Sequence, residues 1–322
     1  MLVDQNFDPD NGDGWRLDVT RFYDPDKLDP DRSPVLMVPG YGMNTFILNY
    51  HPTGESMVGY LCRRGFEVWT ANLRGQGGSK SHGDGHRYGF RELSLIDYPT
   101  VEDLVFEETE TDAEKLHGVG CSLGASILYA YLAHHLSSHR FASMIAIGGP
   151  LRWVEIHPAV RVAFGSPKLA SMLRIRGTRK LARTFLPMLK KAPWLLSIYM
   201  NVDQIDLSEV DKLVKTVDDP NPYLNVQIAR WLEQRDLVVA GLNVTDALRG
   251  LDDLPILCLL ASDDGIVPAS SAKSVRDIVD PACVDVVEVG TEKKWYAHAD
   301  LFISEEADRT VFEPMASWLL RA

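Results

Sequence analysis

Lys115-Leu116-His117-Gly118-Val119-Gly120-Cys121-Ser122-Leu123-Gly124 holds a serine between two glycines at the spacing G-x-S-x-G. Its first seven residues read as a strand, and Leu123 to Leu136 reads as a helix. That context gives the pentapeptide its meaning. A serine on a very tight strand-to-helix turn sits in strained φ/ψ, and flanking glycines leave room where side chains would collide. The turn lifts the Ser122 hydroxyl to the carboxyl edge of a sheet, and the helix N-terminus offers backbone N–H groups to developing negative charge. The plainer reading is a joint of small residues between strand and helix. The surroundings favour the catalytic one.

Outward from this turn, strands and helices alternate. Residues 15–23 and the all-apolar run Val35–Val38 read as strands. Ser56–Arg64 reads as a helix stopped at Gly65, and Phe66–Ala71 as the next strand. Pro99–Asp112 reads as an acidic helix and Phe141–Ile147 as a strand. The rhythm stops near Gly149 and resumes near Leu254. From there we expect strand 255–260, helix 270–278, strand 284–289 and a last helix over 305–320. The roughly 100 intervening residues have helical spacing broken by prolines. The expected architecture is α/β, a mostly parallel sheet covered by helices on both faces. Residues 1–149 and 250–322 would form a discontinuous core, with 150–249 an inserted helical cap.

A serine hydroxyl needs a base, and the base needs an orienting carboxylate. Asp263 and Asp264 both stand at the carboxyl end of the strand over 255–260, and either could instead be a turn residue. The loop after the strand over 284–289 carries Tyr296-Ala297-His298-Ala299-Asp300. Of nine histidines, His298 is the one placed to serve Ser122. The chain order is then serine, acid, histidine.

With these residues in view, the chain resembles the α/β-hydrolase superfamily over nearly its full length. Pro39-Gly40-Tyr41-Gly42 is similar to the H-G-x oxyanion segment, with Pro39 in place of the usual His. Arg74-Gly75-Gln76-Gly77-Gly78-Ser79 is similar to an R-G-x-G-x-S loop, and His298-Ala299-Asp300 to a terminal H-x-D. Asp264-Gly265-Ile266-Val267-Pro268 resembles the D-x-x-V-P acid turn, which selects Asp264 over Asp263. The resemblance implies Ser122, Asp264 and His298 as catalytic residues and the backbone N–H groups of Tyr41 and Leu123 as an oxyanion hole. Within the superfamily, Trp69, Asn72, Arg74, Gly75 and Lys115–Gly120 are similar to acid lipases, with Asp97-Tyr98-Pro99 in reversed Asp–Tyr order. The stretch from Val38 through Asn44 to Leu48 also looks like polyhydroxyalkanoate synthases. Those place Cys at the centre of the box, where this chain has Ser122 with Cys121 one residue off. The implied activity is a serine esterase or lipase acting on an apolar acyl ester, without a cofactor. The alternatives are an acyltransferase of the synthase type and a non-catalytic ligand-binding member.

Composition narrows the partners. The 322 residues are 45% apolar and 24% charged, which excludes disorder, and the net charge of −12 disfavours a phosphate backbone as partner, so no nucleic acid is expected. The first 14 residues have no basic or apolar core for a signal peptide, and no apolar run approaches the ~20 residues that span a bilayer. Four cysteines without a CxxC fit reduced thiols, hence a cytoplasmic protein. The loop His82-Gly83-Asp84-Gly85-His86 could ligate a metal but lacks a distant fourth ligand, so no metal is expected. Residues 152–191 hold ten bases and one acid. Such a segment either contacts anionic lipid peripherally or is a solvated face paired with acids. Phe185, Leu186, Met188, Leu189, Trp194, Leu195, Leu196, Ile198, Tyr199 and Met200 make an apolar stretch that is either the cap's own core or part of an acyl pocket.

Overall fold

A computed structural model describes residues 1–83, 87–172, 176–189 and 196–322. Eight strands form the main sheet: β1 (Val3–Phe7), β2 (Asp18–Tyr23), β3 (Val35–Val38), β4 (Val68–Asn72), β5 (Leu116–Cys121), β6 (Phe141–Ile147), β7 (Ile256–Ala261) and β8 (Val284–Val289). They lie in the order β1-β2-β4-β3-β5-β6-β7-β8. β2 pairs antiparallel with both β1 and β4, and every other pairing in the sheet, among β4, β3 and β5 to β8, is parallel. Their carboxyl ends therefore share one edge, and the loops after β3, β5, β6, β7 and β8 converge there.

The sequence dictates this burial. Every residue of β3, β5 and β7 is buried: β3 and β7 are continuous apolar runs with both faces covered, and β5 joins them with His117 and two glycines among its residues. Side chains alternate between two cores. Val35 and Met37 of β3 join one face with Val119 and Cys121 of β5, while Leu36 and Val38 join the other. Helix α1 (Met57–Cys62) starts on Ser56, whose hydroxyl accepts the Gly59 N–H at 3.2 Å, and Gly65 follows it at φ 87°. Helix α2 spans Tyr98–Glu108, and α3 spans Leu123–His134. α3 is buried from Leu123 to Ala133, so it is apolar all round rather than amphipathic.

Within residues 150–249 the described elements are mostly helical, chiefly α4 (Pro158–Ala163), α5 (Pro167–Met172), α6 (Thr178–Leu189) and α7 (Pro222–Gln234), with α5 packed on α7; the exception is a small antiparallel pair, Val238–Val239 with Leu242–Asn243. A last helix, α8, covers Glu313–Leu319.

Four expectations shift. The strand over 15–23 splits at Leu17, with Trp15–Arg16 pairing instead with Lys80–Ser81. β1 is unheralded because an exposed edge strand of sequence VDQNF has no buried face to pattern. The helix over 270–278 is a short helix, Ala269–Ala272, followed by a 3₁₀ turn. Wide π turns at Leu93–Asp97 and Asp308–Phe312 precede α2 and α8. Each leads into a helix whose first turn contains a proline, Pro99 or Pro314, with no N–H to give.

Candidate active site

Ser122 stands between β5 and α3 at φ 52°, ψ −121°, a conformation that costs an L-residue energy and persists only where packing enforces it. The packing is visible at its flanks. A Cβ on Gly120 would lie 2.3 Å from the Ala125 Cα, and one on Gly124 would lie 2.4 Å from the Val38 carbonyl oxygen. Cys121 points into the core on the opposite face, with Val119, Ile145 and Ile147. It is fully buried, and burial pushes its thiol well above the ordinary range, so no thiolate is on offer.

Asp264 and His298 come from the loops after β7 and β8. The Asp264 Oδ2 lies 2.6 Å from the His298 Nδ1, with both side chains buried. The other oxygen, Oδ1, accepts the Ile266 and Val267 N–H groups at 2.8 and 2.9 Å. That turn fixes the carboxylate's direction. Asp263 is exposed, and its N–H donates to the Tyr296 carbonyl, so of the two aspartates it is Asp264 that meets the histidine.

Two glycines after β6 bring the histidine and the serine to one place. A Cβ on Gly148 would sit 3.1 Å from the His298 Cε1, and one on its neighbour Gly149 would sit 2.4 Å from the Ser122 carbonyl oxygen. The sequence reading passed over this pair, although Gly-Gly-Pro directly after a strand is the kind of signal that could have revealed it.

Tyr41 and Leu123 flank the serine. Leu123 opens α3, where first-turn N–H groups have no intrahelical acceptor. The segment bearing Tyr41 passes so close to the serine that a Cβ on Gly40 would come within 2.7 Å of the Ser122 Cβ. The Gln76 amide steadies this segment by donating to the Gly40 carbonyl at 3.0 Å. The Tyr41 hydroxyl donates to Asn225 of α7 at 2.5 Å. Behind Gln76, Arg74 is clamped on the buried Asp97 carboxylate at 2.8 to 3.0 Å and reaches Asp13 at 2.6 Å. The glycine-rich loop is thus a brace for the segment bearing Tyr41.

The histidine loop has a second anchor. Asp300 is buried and accepts the Ala297 N–H at 2.7 Å and the Asn201 N–H at 3.1 Å. The Ala299 N–H donates to the Tyr199 carbonyl at 2.8 Å, and the Tyr199 ring lies 6.2 Å from the imidazole centroid. Burial, with Asp264 nearby, pushes the Asp300 carboxyl up to about 7, against the opposing pull of those two N–H donors and His298.

Ser122, Tyr41 and Leu123 line a cavity of about 330 Å³ whose other walls are apolar. α4 contributes Ala159, Val160 and Ala163; α7 contributes Ile228 and Trp231; Trp153, Phe164, Ile198, Ile266 and Val267 close it. Of the apolar stretch over 185–200, Ile198 lines this cavity, and Leu196 and Met200 are core. Trp194, Leu195 and the side chains of Phe185, Leu186, Met188 and Leu189 lie outside the described residues. In the loop with alternating donors, His82 lies 3.1 Å from Asp10, and Asp84 and His86 lie outside the described residues. Among the described residues, no cluster of three or more His, Cys, Asp or Glu could hold a metal ion.

The model of the alpha/beta hydrolase fold family matches residues 33–289, and the chain belongs to that family. Solved structures agree. The chain is similar to 2-hydroxy-6-oxo-6-phenylhexa-2,4-dienoate hydrolase from Rhodococcus sp. strain RHA1, with TM-score 0.64, 15% identity, and 100% and 99% of the two chains covered. It is also similar to a bacterial membrane phospholipase A, with TM-score 0.61, 16% identity, and 100% and 87% covered. A third likeness is a carboxylesterase of Nitrososphaera gargenis, with TM-score 0.57, 15% identity, and 98% of each chain covered. No curated protein matches the chain in sequence. At such identities the likeness shows the fold, and the bond that is cleaved has to be argued from the site.

Proposed function

We propose that the chain is a serine hydrolase that cleaves carboxylic esters with an apolar acyl chain. The supporting observation is the buried 2.6 Å contact of His298 with Asp264, at the sheet edge that presents Ser122 to an apolar cavity. In this reading Asp264 holds the imidazole with its Nδ1 proton inward, and His298 takes the Ser122 hydroxyl proton. The Ser122 Oγ attacks the ester carbonyl carbon, and the resulting oxyanion accepts hydrogen bonds from the Tyr41 and Leu123 amides. The alkoxide leaves with the proton carried by His298, and an acyl-enzyme remains. Water, deprotonated by the same imidazole, then frees the acid and restores the serine.

Residues 150–249 are the cap in this reading. Their helices wall the acyl pocket, and the basic segment within them is a peripheral contact for anionic lipid. No described helix is long and apolar enough to cross a membrane. The four cysteines are free, which fits a reducing compartment, and we place the protein in the cytoplasm.

The reading is tested with 4-nitrophenyl esters from acetate to dodecanoate, with product analysis. It predicts kcat/KM rising from acetate to a medium-chain optimum, with free acid as product. A preference for acetate would remove the acyl-pocket assignment, and a longer ester formed from an added alcohol or hydroxyacyl acceptor would favour acyl transfer.

A further inference from the structure

The Tyr41 N–H that the esterase reading gives to the oxyanion shares one peptide plane with the Gly40 carbonyl. Whatever grips the Gly40 oxygen therefore also sets the direction of that N–H. The grip is the Gln76 amide, which donates at 3.0 Å, and the Gln76 Oε1 is itself fixed by the Leu73 N–H at 2.9 Å. On the far side of Tyr41, the Gly42 carbonyl accepts the Asp218 N–H at 2.9 Å. The Asp218 carboxylate then turns back toward Gln76. Its Oδ2 accepts the Gly77 N–H at 2.7 Å and the Asn44 side-chain amide at 3.1 Å. Asp218 thus closes a ring of hydrogen bonds around Tyr41, through Gly42 on one side and through Gly77, Gln76 and Gly40 on the other. Backbone pairing reinforces it, with the Asn44 N–H on the Thr216 carbonyl at 3.0 Å and Met43 bridged antiparallel to Val217. The Asp218 Oδ1 meets Arg179 of α6 at 2.7 Å, but that guanidinium is half-exposed, and such a pair contributes little.

We infer that Asp218 is a positioning residue of the oxyanion hole, holding the Tyr41 amide where negative charge develops. The inference rests on the esterase reading and deepens it. A contact that only fastened residues 216–218 to the sheet-bearing core would be served by the backbone bonds alone. The carboxylate does more, because two hydrogen bonds on one oxygen tie together the two loops that hold Tyr41. An oxyanion gains most from a donor already in place, and misplacing a group by about 1 Å can cost about 100-fold in rate. Asp218 does not line the acyl cavity, so its loss weakens the transition state and leaves substrate binding alone.

The test measures hydrolysis of 4-nitrophenyl hexanoate by the unaltered full chain, Asp218→Asn, Asp218→Ala and Asp219→Asn. Asp219 is the neighbouring control. It is exposed, and its carboxylate accepts the Gly177 and Thr178 N–H groups at 3.0 and 2.7 Å, away from the ring. We expect Asp218→Ala to lower kcat by about 30-fold and Asp218→Asn, which keeps one acceptor oxygen, by about fivefold, with KM changed less than about twofold in both. Asp219→Asn should stay within about twofold in kcat and KM. If Asp218→Ala does not fold, Asp218→Asn decides. A kcat that holds in the Asp218 variants, a loss confined to KM, or an equal loss in Asp219→Asn overturns the inference. A second readout needs no ester turnover. The Ser122 Oγ adds to the carbonyl carbon of 1,1,1-trifluoro-2-octanone, the serine proton passes to His298, and the ketone oxygen becomes the oxyanion. Fluorine NMR of this hemiketal should show affinity about 30-fold weaker in Asp218→Ala than in the unaltered protein. A hemiketal weakened in this way, with no ester cleaved, would sink the esterase reading and keep the role of Asp218. A hemiketal equally stable in both, or none on the unaltered protein, overturns that role.

Discussion

At the residue scale the site depends on distances that single atoms control. Ser122, Asp264 and His298 were legible in the sequence because each sits in a short local pattern: G-x-S-x-G, D-x-x-V-P and a histidine before the last helix. Gly148, Gly149 and the Asp300–Asn201 link were not, since their partners lie 27 to 150 residues away and no local spacing announces them. Asp300 carries a sign that can be checked. Its carboxyl titrates near 7 in the fold against 3.8 for the free group, so the folded state binds this proton more tightly. Folding therefore takes up a proton between those two values, and the stability this group supplies falls as pH rises through that window. Asp300→Asn removes the titration. We expect the stability of the unaltered protein relative to Asp300→Asn, measured by urea unfolding, to be larger at pH 5 than at pH 7.5. The opposite slope would contradict the burial of Asp300.

At the element scale, strands read better than helices. The continuous apolar runs of β3 and β7 read as strands covered on both faces, and their bounds were nearly right. The errors fall where tertiary context overrides local pattern, at the exposed edge strand β1, at the two π turns and in the residues after Pro268. The loop after β4 shows how an element can be functional without touching substrate. Its Arg74, 2% exposed, is held by the fully buried Asp97, and through Gln76 the loop supports the Gly40 carbonyl beside the serine. Removing one member of a buried ion pair leaves the other uncompensated. Asp97→Ala should therefore destabilise the protein by about 3–5 kcal/mol in chemical denaturation. A loss below about 1 kcal/mol would mean that solvent screens the pair, contrary to its burial.

At the scale of the whole molecule, the net −12 hides a division of charge. The basic segment over 152–191 is partly matched by nearby acids, with Arg152 on Asp236, Arg179 on Asp218 and Arg183 on Asp211, all acids of residues 150–249. Close by, Val162 is 79% exposed and Met172 71%, so apolar side chains stand out among the remaining bases. Arg174, Lys190 and Lys191 lie outside the described residues. The proposed lipid contact requires this surface to prefer an anionic bilayer over a neutral one. Co-sedimentation with phosphatidylglycerol vesicles should exceed that with phosphatidylcholine vesicles and weaken as salt rises from 50 to about 300 mM. Equal recovery with both lipids would leave the basic face as a solvated one.

The central claim is that Ser122 is the nucleophile. Its most direct test is labelling with a fluorophosphonate, read by intact mass and peptide mapping. A single adduct on Ser122 is expected, formed by the unaltered protein and lost in Ser122→Ala. An adduct that survives Ser122→Ala, or one that maps to Cys121, would contradict it.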